Sequence, residues 1–212
     1  MTTAPRRVIL NREYIGKGKR AGAGPFRTPA VKKMKNVIHI FGASGSGTST
    51  LGRAIGEKAH FRVMDTDDYF WLPTDPPFTE KRPEEERLRL MQKDIDEADN
   101  AVISGALCGW GDPLIGRFTL AVRLIVPAAV RIARLKAREY QRFGSRVLEG
   151  GDLYEAHQAF YEWAASYDTG DVNRRSRAHH DQWQRKLPCK LLVLDGTLPT
   201  AVLAETVMRE IG

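Results

Sequence analysis

The stretch Val37-Ile38-His39-Ile40-Phe41-Gly42-Ala43-Ser44-Gly45-Ser46-Gly47-Thr48-Ser49-Thr50 decides the fold. Its first five residues form a mostly apolar run of strand type. A glycine-rich turn follows, and then Leu51, Ala54, Ile55 and Lys58-Ala59 recur at helical spacing. Strand, glycine-rich turn and helix are the context of the phosphate-binding pattern G-x-x-x-x-G-K-[ST], whose backbone N–H groups wrap a phosphate chain at a helix N-terminus. Gly42, Gly47 and Ser49 satisfy it, while Thr48 stands where the lysine belongs. A bare strand-to-helix connection would not need so many matched positions. Gly42, Ser44, Gly45, Ser46, Gly47, Thr48, Ser49 and Thr50 are therefore the candidate phosphate ligands.

Working outward, strand-like and helix-like runs alternate. Phe61–Asp65, Ala101–Ser104, Leu120–Val126 and Leu191–Leu194 read as further strands. Helices are expected over Thr48–Ala59, from Pro83, over Ala128–Arg142, around Leu153–Tyr167 and over Pro199–Ile211. Glu84, Glu85 and Glu86 suit the first turn of the second of these, where the helix dipole favours negative charge. Five strands with crossing helices predict a three-layer α/β domain with a parallel sheet.

The formal charge of +7 is unevenly placed. Residues 1–33 hold nine of the 33 Lys/Arg and one of the 26 acids; the other 24 cations and 25 acids nearly cancel. Residues 1–35 accordingly read as a basic leader that would bury little, and 36–212 as the domain. The near-neutral domain disfavours a nucleic-acid partner, although a basic arm that binds nucleic acid is the other reading of the leader. No apolar run approaches the roughly 20 residues of a membrane span. Cys108 and Cys189 lack metal-ligand spacing and, as two isolated thiols, suggest the reducing cytoplasm.

Two clusters carry chemistry. Asp65, Asp67 and Asp68 end the second strand, and in an open parallel sheet ligands bind beyond the carboxyl ends of the strands. One of these acids can accept a proton and another can hold Mg²⁺, while the bland alternative is an acidic helix cap. Tyr69, Phe70 and Trp71 read either as a stacking wall or as core. Arg131, Arg134, Arg138, Arg142 and Arg146 recur at steps of three and four, on one face as far as a helix runs. Like charges so spaced cost an isolated helix ~0.2–0.5 kcal/mol per pair. The stripe makes sense against an anion, since the guanidinium fork donates two bonds to phosphoryl oxygens. Arg174, Arg175 and Arg177 form a second basic cluster in a polar stretch of lid type.

Together these residues resemble the adenylate-kinase-like nucleoside and nucleotide kinase group of P-loop proteins, over about residues 36–212. The resemblance rests on Gly42–Thr50, the acids after the second strand, the arginine-bearing helix after Pro127 and the Leu194-Asp195-Gly196 strand end. It implies a P-loop NTPase fold with a five-stranded parallel sheet and a helical lid. It further implies ATP and Mg²⁺ as cofactors and a small-molecule phosphoryl acceptor as partner. The Asp67-Asp68-Tyr69-Phe70 run is similar to the acceptor segment of uridine- and nicotinamide-riboside-type kinases, which puts the base on Asp67. Arg134 and Arg138 fall where the group has lid arginines, and Gly196 where its loop borders the adenine. Some archaeal cytidylate kinases also carry Gly-Thr-Thr in place of Gly-Lys-Thr. The third strand, Ala101-Val102-Ile103-Ser104-Gly105, ends without the acid the group places there, so the metal falls to Ser49 and Asp65. An ATP-binding sensor, or an NTPase without an acceptor, is the rival expectation.

Overall fold

The hydrophobic strand that opens the alternation of strands and helices becomes the middle of the sheet. In the computed structural model, which describes residues 35–211, β1 (Val37–Gly42) is buried at every position. β2 (Arg62–Asp65), β3 (Ala101–Ser104), β4 (Leu120–Ile125) and β5 (Lys190–Asp195) join it in the order β2-β3-β1-β4-β5. Every pairing is parallel. A strand covered on both faces has no solvent side to keep polar, which is why β1 reads as an almost continuous apolar run.

Alternate side chains of β1 enter two different cores. Ile38 and Ile40 meet Leu51 and Ile55 of α1 (Thr48–Ala59), with Leu203 and Val207 of α7 (Thr200–Arg209). Val37 and Phe41 face the other way. They join Met91 and Ile95 of α3 (Glu84–Glu97) and Trp183 of α6 (Arg177–Trp183). A third, smaller cluster ties Leu135 of α4 (Ala128–Phe143) to Tyr161 and Ala164 of α5 (Tyr154–Ala165). The result is the expected three-layer α/β architecture.

The packing of α1 is unusually close. A Cβ built on Gly52 would lie 3.1 Å from Cβ and Oγ of Ser104, and one on Gly56 would strike the Val63 side chain and lie 3.1 Å from the Phe61 carbonyl oxygen. Both glycines let the helix rest directly on β2 and β3.

Several expectations change in detail. Of the three acids expected to end the second strand only Asp65 does so: Thr66–Phe70 forms a five-residue helix, α2, which holds Asp67 and Asp68 and whose N-cap Asp65 accepts the Asp67 N–H at 3.1 Å. So the cap reading of this cluster holds for Asp65. The stretch of lid type contains α6, capped by Ser176, whose Oγ accepts from the His179 N–H at 3.0 Å. Arg146 leaves the helical face: α4 ends at Phe143, and Gly144–Val147 is a 3-10 turn. The leader expected over residues 1–35 lies, but for Lys35, outside the described residues. Among the described residues, no helix is long and apolar enough to cross a membrane.

Candidate functional site

The turn from β1 to α1 has the backbone of an anion cradle. Gly45 (φ 79°) and Gly47 (φ 95°) adopt positive φ, which a side chain would strain. Gly47 is the N-cap of α1 without a side-chain cap, and the first helical bond runs from Leu51 N–H to the Gly47 carbonyl at 3.0 Å. The amides of Thr48, Ser49 and Thr50 therefore have no carbonyl one turn back. Ser44, Gly45, Gly47, Thr48 and Ser49 are half-buried and Thr50 is exposed. Ser46 is buried, its N–H bonded to the Ala43 carbonyl at 3.1 Å. Gly42, at the end of β1, pairs in register with Leu124.

Side chains from distant segments converge on this turn. Arg134 of α4 donates from Nη1 to the Gly196 carbonyl at 3.0 Å, and the same Nη1 lies 4.0 Å from where a Gly47 Cβ would be. Gly196 itself rests on the turn, since a Cβ there would lie 3.1 Å from the Ser46 carbonyl oxygen. From the opposite side, Arg175 donates from Nη2 to the Gly42 carbonyl at 3.0 Å. It also lies beside Ser44, Trp163, Ala164 and Tyr167.

Asp67 stands in the first turn of α2. It keeps solvent access, yet the protein around it desolvates the carboxyl and pushes its pKa above the ordinary value. Asp65 and Asp68 push the same way, while Arg175 and Arg138 pull it back. Asp68 is raised too, by desolvation and then by Asp65. The register sets Asp65 beside Ser104, and Ser104 beside Ile40, so the ends of β2, β3 and β1 lie side by side. The Ser104 hydroxyl is buried and has no hydrogen-bond partner among the described residues. The structure thus gathers Gly42–Thr50, Arg134 and Gly196 around the turn, and sets Asp67 within the fields of Arg138 and Arg175.

The arginine stripe splits by role. Arg131 is fully buried and serves the fold: it donates to the carbonyls of Val126 (3.1 Å) and Ala164 (3.0 Å) and pairs with Asp168 at 2.5 Å. Arg138 is held by the buried Glu139 at 2.7 Å. Arg142 reaches the same carboxylate at 3.9 Å, and Arg146 pairs with Asp152. Arg134 and Arg138 are the two members that stay with the site. In the sequence Arg175 stands only as one of a cluster; its 133-residue separation from Gly42 hides the contact from any local pattern.

The aromatic residues after Asp67 divide as well. The Tyr69 hydroxyl is taken by Asp94 at 2.5 Å, so that ring belongs to the core. Phe70 lies edge-on to Trp71 and Trp110 and carries the Arg87 guanidinium 3.9 Å above its ring. Cys108, whose thiol burial pushes up to about 12, behaves as an inert apolar side chain.

For Mg²⁺, the Ser49 hydroxyl and the Asp65 carboxylate are hard oxygen donors of the right chemistry, and one Asp65 oxygen is already held by the Asp67 amide. Among the described residues, no three His, Cys, Asp or Glu side chains cluster into a metal cage. A cage is not what Mg²⁺ needs when phosphate oxygens complete its shell.

The family model described as AAA domain matches residues 38–159, from β1 into α5. The chain is 46% identical over 162 residues to the uncharacterized protein YqaC of Bacillus subtilis (strain 168), covering 76% of this chain and 89% of that protein. It is 31% identical over 113 residues to the cytidylate kinase of Methanocorpusculum labreanum, covering 48% of this chain and 62% of that enzyme's length. Among solved structures, the shikimate kinase of Bacteroides thetaiotaomicron shares the fold with a TM-score of 0.53 at 16% identity, over 83% of this chain and 98% of that one. With its phosphate-binding turn inside the matched segment, the chain belongs to the AAA domain family and is a nucleotide-kinase-like P-loop protein.

Proposed function

We propose that this protein is an ATP-dependent phosphotransferase that moves the γ-phosphoryl group to a nucleotide, nucleoside or similar small acceptor. The observation that carries the reading is the placement of Asp67 within the fields of Arg138 and Arg175, one of which is bonded to the phosphate-binding turn. Phosphoryl transfer asks a protein mainly for positioning and charge neutralisation. In this reading the amides of Gly45, Gly47 and Thr48 hold the phosphates, while the Ser46 amide, expected among them, is spent on the Ala43 carbonyl and shapes the turn. Gly196 borders the nucleotide base, and Arg134 and Arg138 meet the charge that develops on the transferring group. Asp67 accepts the proton of the acceptor hydroxyl as its oxygen bonds to the γ-phosphorus and the bond to the β-phosphate oxygen breaks. The raised pKa strengthens that carboxylate as a base. Ser49 and Asp65 would hold Mg²⁺, which neutralises phosphate charge when bound.

A second reading, an ATP-binding sensor or an NTPase without an acceptor, draws on Thr48 and on Ser104 in place of an acid at the end of β3. Incubation with labelled ATP and a panel of nucleosides, nucleotides and sugars separates the two. Label appearing in an acceptor supports the kinase, whereas ATP binding with release of phosphate alone, or with no turnover, supports the rival.

A further inference from the structure

A phosphate-binding turn normally carries its own cation, the lysine that reaches the β- and γ-phosphates. Thr48 offers only a hydroxyl, so a positive charge must come from elsewhere if the turn is to hold a polyphosphate. The structure presents three arginines near it, in different states. Arg138 is committed to the Glu139 carboxylate at 2.7 Å. Arg134 is bound to the Gly196 carbonyl, at the end of the turn where the helix begins. Arg175 reaches the strand end, on the carbonyl of Gly42, the first glycine of the pattern, and beside Ser44.

Arg175 is also built in. Its neighbour Ser176 is fully buried and caps α6, with its Oγ donating to the Asp171 carbonyl at 2.5 Å. The guanidinium lies 5.9 Å from the Trp163 ring centroid. Its Nε is buried without a hydrogen-bond partner among the described residues. No carboxylate lies within ion-pairing distance among the described residues, unlike Arg123, which pairs with Asp181, and Arg131, which pairs with Asp168. A half-buried cation without a carboxylate is costly unless an anion completes it. What it touches is the strand end of the turn, the Gly42 carbonyl, with Ser44 beside it.

We propose that Arg175, delivered by the segment between α5 and α6, replaces the missing lysine of the phosphate-binding turn as its resident cation. The proposal rests on the reading that the turn binds nucleotide phosphates. It puts the cation on a segment distant in sequence, beyond the matched residues 38–159, so that polyphosphate affinity depends on how that segment docks on Gly42.

The test is a binding titration of the full chain with ATP and with adenosine, backed by thermal melting of each variant. Arg175→Ala should weaken ATP on the order of 10–100-fold, the worth of a hydrogen bond to a charged group, and leave adenosine unchanged. Thr48→Lys in the Arg175→Ala background should restore most of that loss, because it returns a cation to the same phosphates. The same Thr48→Lys should not restore Arg134→Ala. If Arg175→Ala does not fold, Arg175→Gln keeps a donor for the Gly42 carbonyl while removing the charge, and carries the same expectation. Unchanged ATP affinity in the folded variant, or a loss that Thr48→Lys leaves unrepaired, overturns the proposal. A wild-type chain that binds no ATP overturns the phosphate-binding reading itself.

Discussion

The two faces of the sheet are built from different materials. The side covered by α1 and α7 is aliphatic but for Phe61: Ile38, Ile40, Leu51, Ile55, Val122, Leu124 and Val207 fill it, with the Ser104 hydroxyl at its edge. The side covered by α3 and α6 buries His39, His180 and Arg123 among aromatic rings. His39 stacks on Phe41 and Phe118, at ring-centroid distances of 5.5 and 5.0 Å, and Arg123 pairs with Asp181 at 2.5 Å. Tyr167 meets His180 Nδ1 at 2.8 Å, and His180 feels the charge of Arg175. Hence the polar face is continuous with the proposed site, while the aliphatic face holds α1 against the sheet. Stability and chemistry are divided between the two sides of one sheet.

Substitutions can break that division, beginning with the largest effect. Asp67→Asn should lower turnover by about 10²–10⁴-fold, the worth of a positioned base, with ATP affinity little changed in an equilibrium titration. Equal losses in both would move Asp67 to metal binding or structure. Arg138→Ala should cost on the order of 10³-fold in turnover per folded molecule, as an arginine acting on the transferring group does, and should also lower the melting temperature because the buried Glu139 loses its partner at 2.7 Å. Near-normal transfer by the Arg134→Ala, Arg138→Ala double variant would leave both as solvated side chains.

On the aliphatic side the expectation reverses. Ile55→Ala should cost about 2–5 kcal/mol of stability by opening a cavity in a fully buried site, visible as a lower denaturation midpoint. Turnover per folded molecule should stay near the wild-type value at low temperature. A selective loss of turnover would show that the two faces are not separate in function.

The smallest effect is a slope. Burial holds His39 at about 3 and His180 at about 2, below the ordinary imidazole value, so the unfolded chain takes up these protons first. The stability tied to them is full above about pH 6.5 and is lost as the pH falls from there toward 3. Each contributes a slope of up to about 1.4 kcal/mol per pH unit over that window. His39→Phe, which preserves the stack on Phe41 and Phe118, should flatten the decline of melting temperature between pH 6 and 4. An unchanged profile would place the acid sensitivity elsewhere.

Most of the architecture was legible because its signals are local. Apolar runs bounded by turns mark the five strands, and the expected helix Thr48–Ala59 agrees with α1. What stayed hidden has physical reasons. α2 is five residues long, too short for an apolar period, although an aspartate before it was a readable cap signal. Spacing put Arg131 with Arg134 and Arg138, and it cannot tell a guanidinium buried on carbonyl oxygens from one turned toward an anion. Arg175 lies in a segment without periodicity, and only tertiary contact sets it against Gly42.

The close seating of α1 makes the helix a lever. Gly56 is the ninth of its twelve residues, and the phosphate-binding turn lies at the other end, about 12 Å away at 1.5 Å per residue. Val63 can rotate aside from an added methyl group, but the Phe61 carbonyl oxygen, 3.1 Å from it, belongs to the backbone. A methyl at Gly56 therefore tilts the rod about its contact at Gly52, where Ser104 stands equally near, and the Gly47 end swings. A residue that touches no nucleotide thus sets where the phosphates would lie.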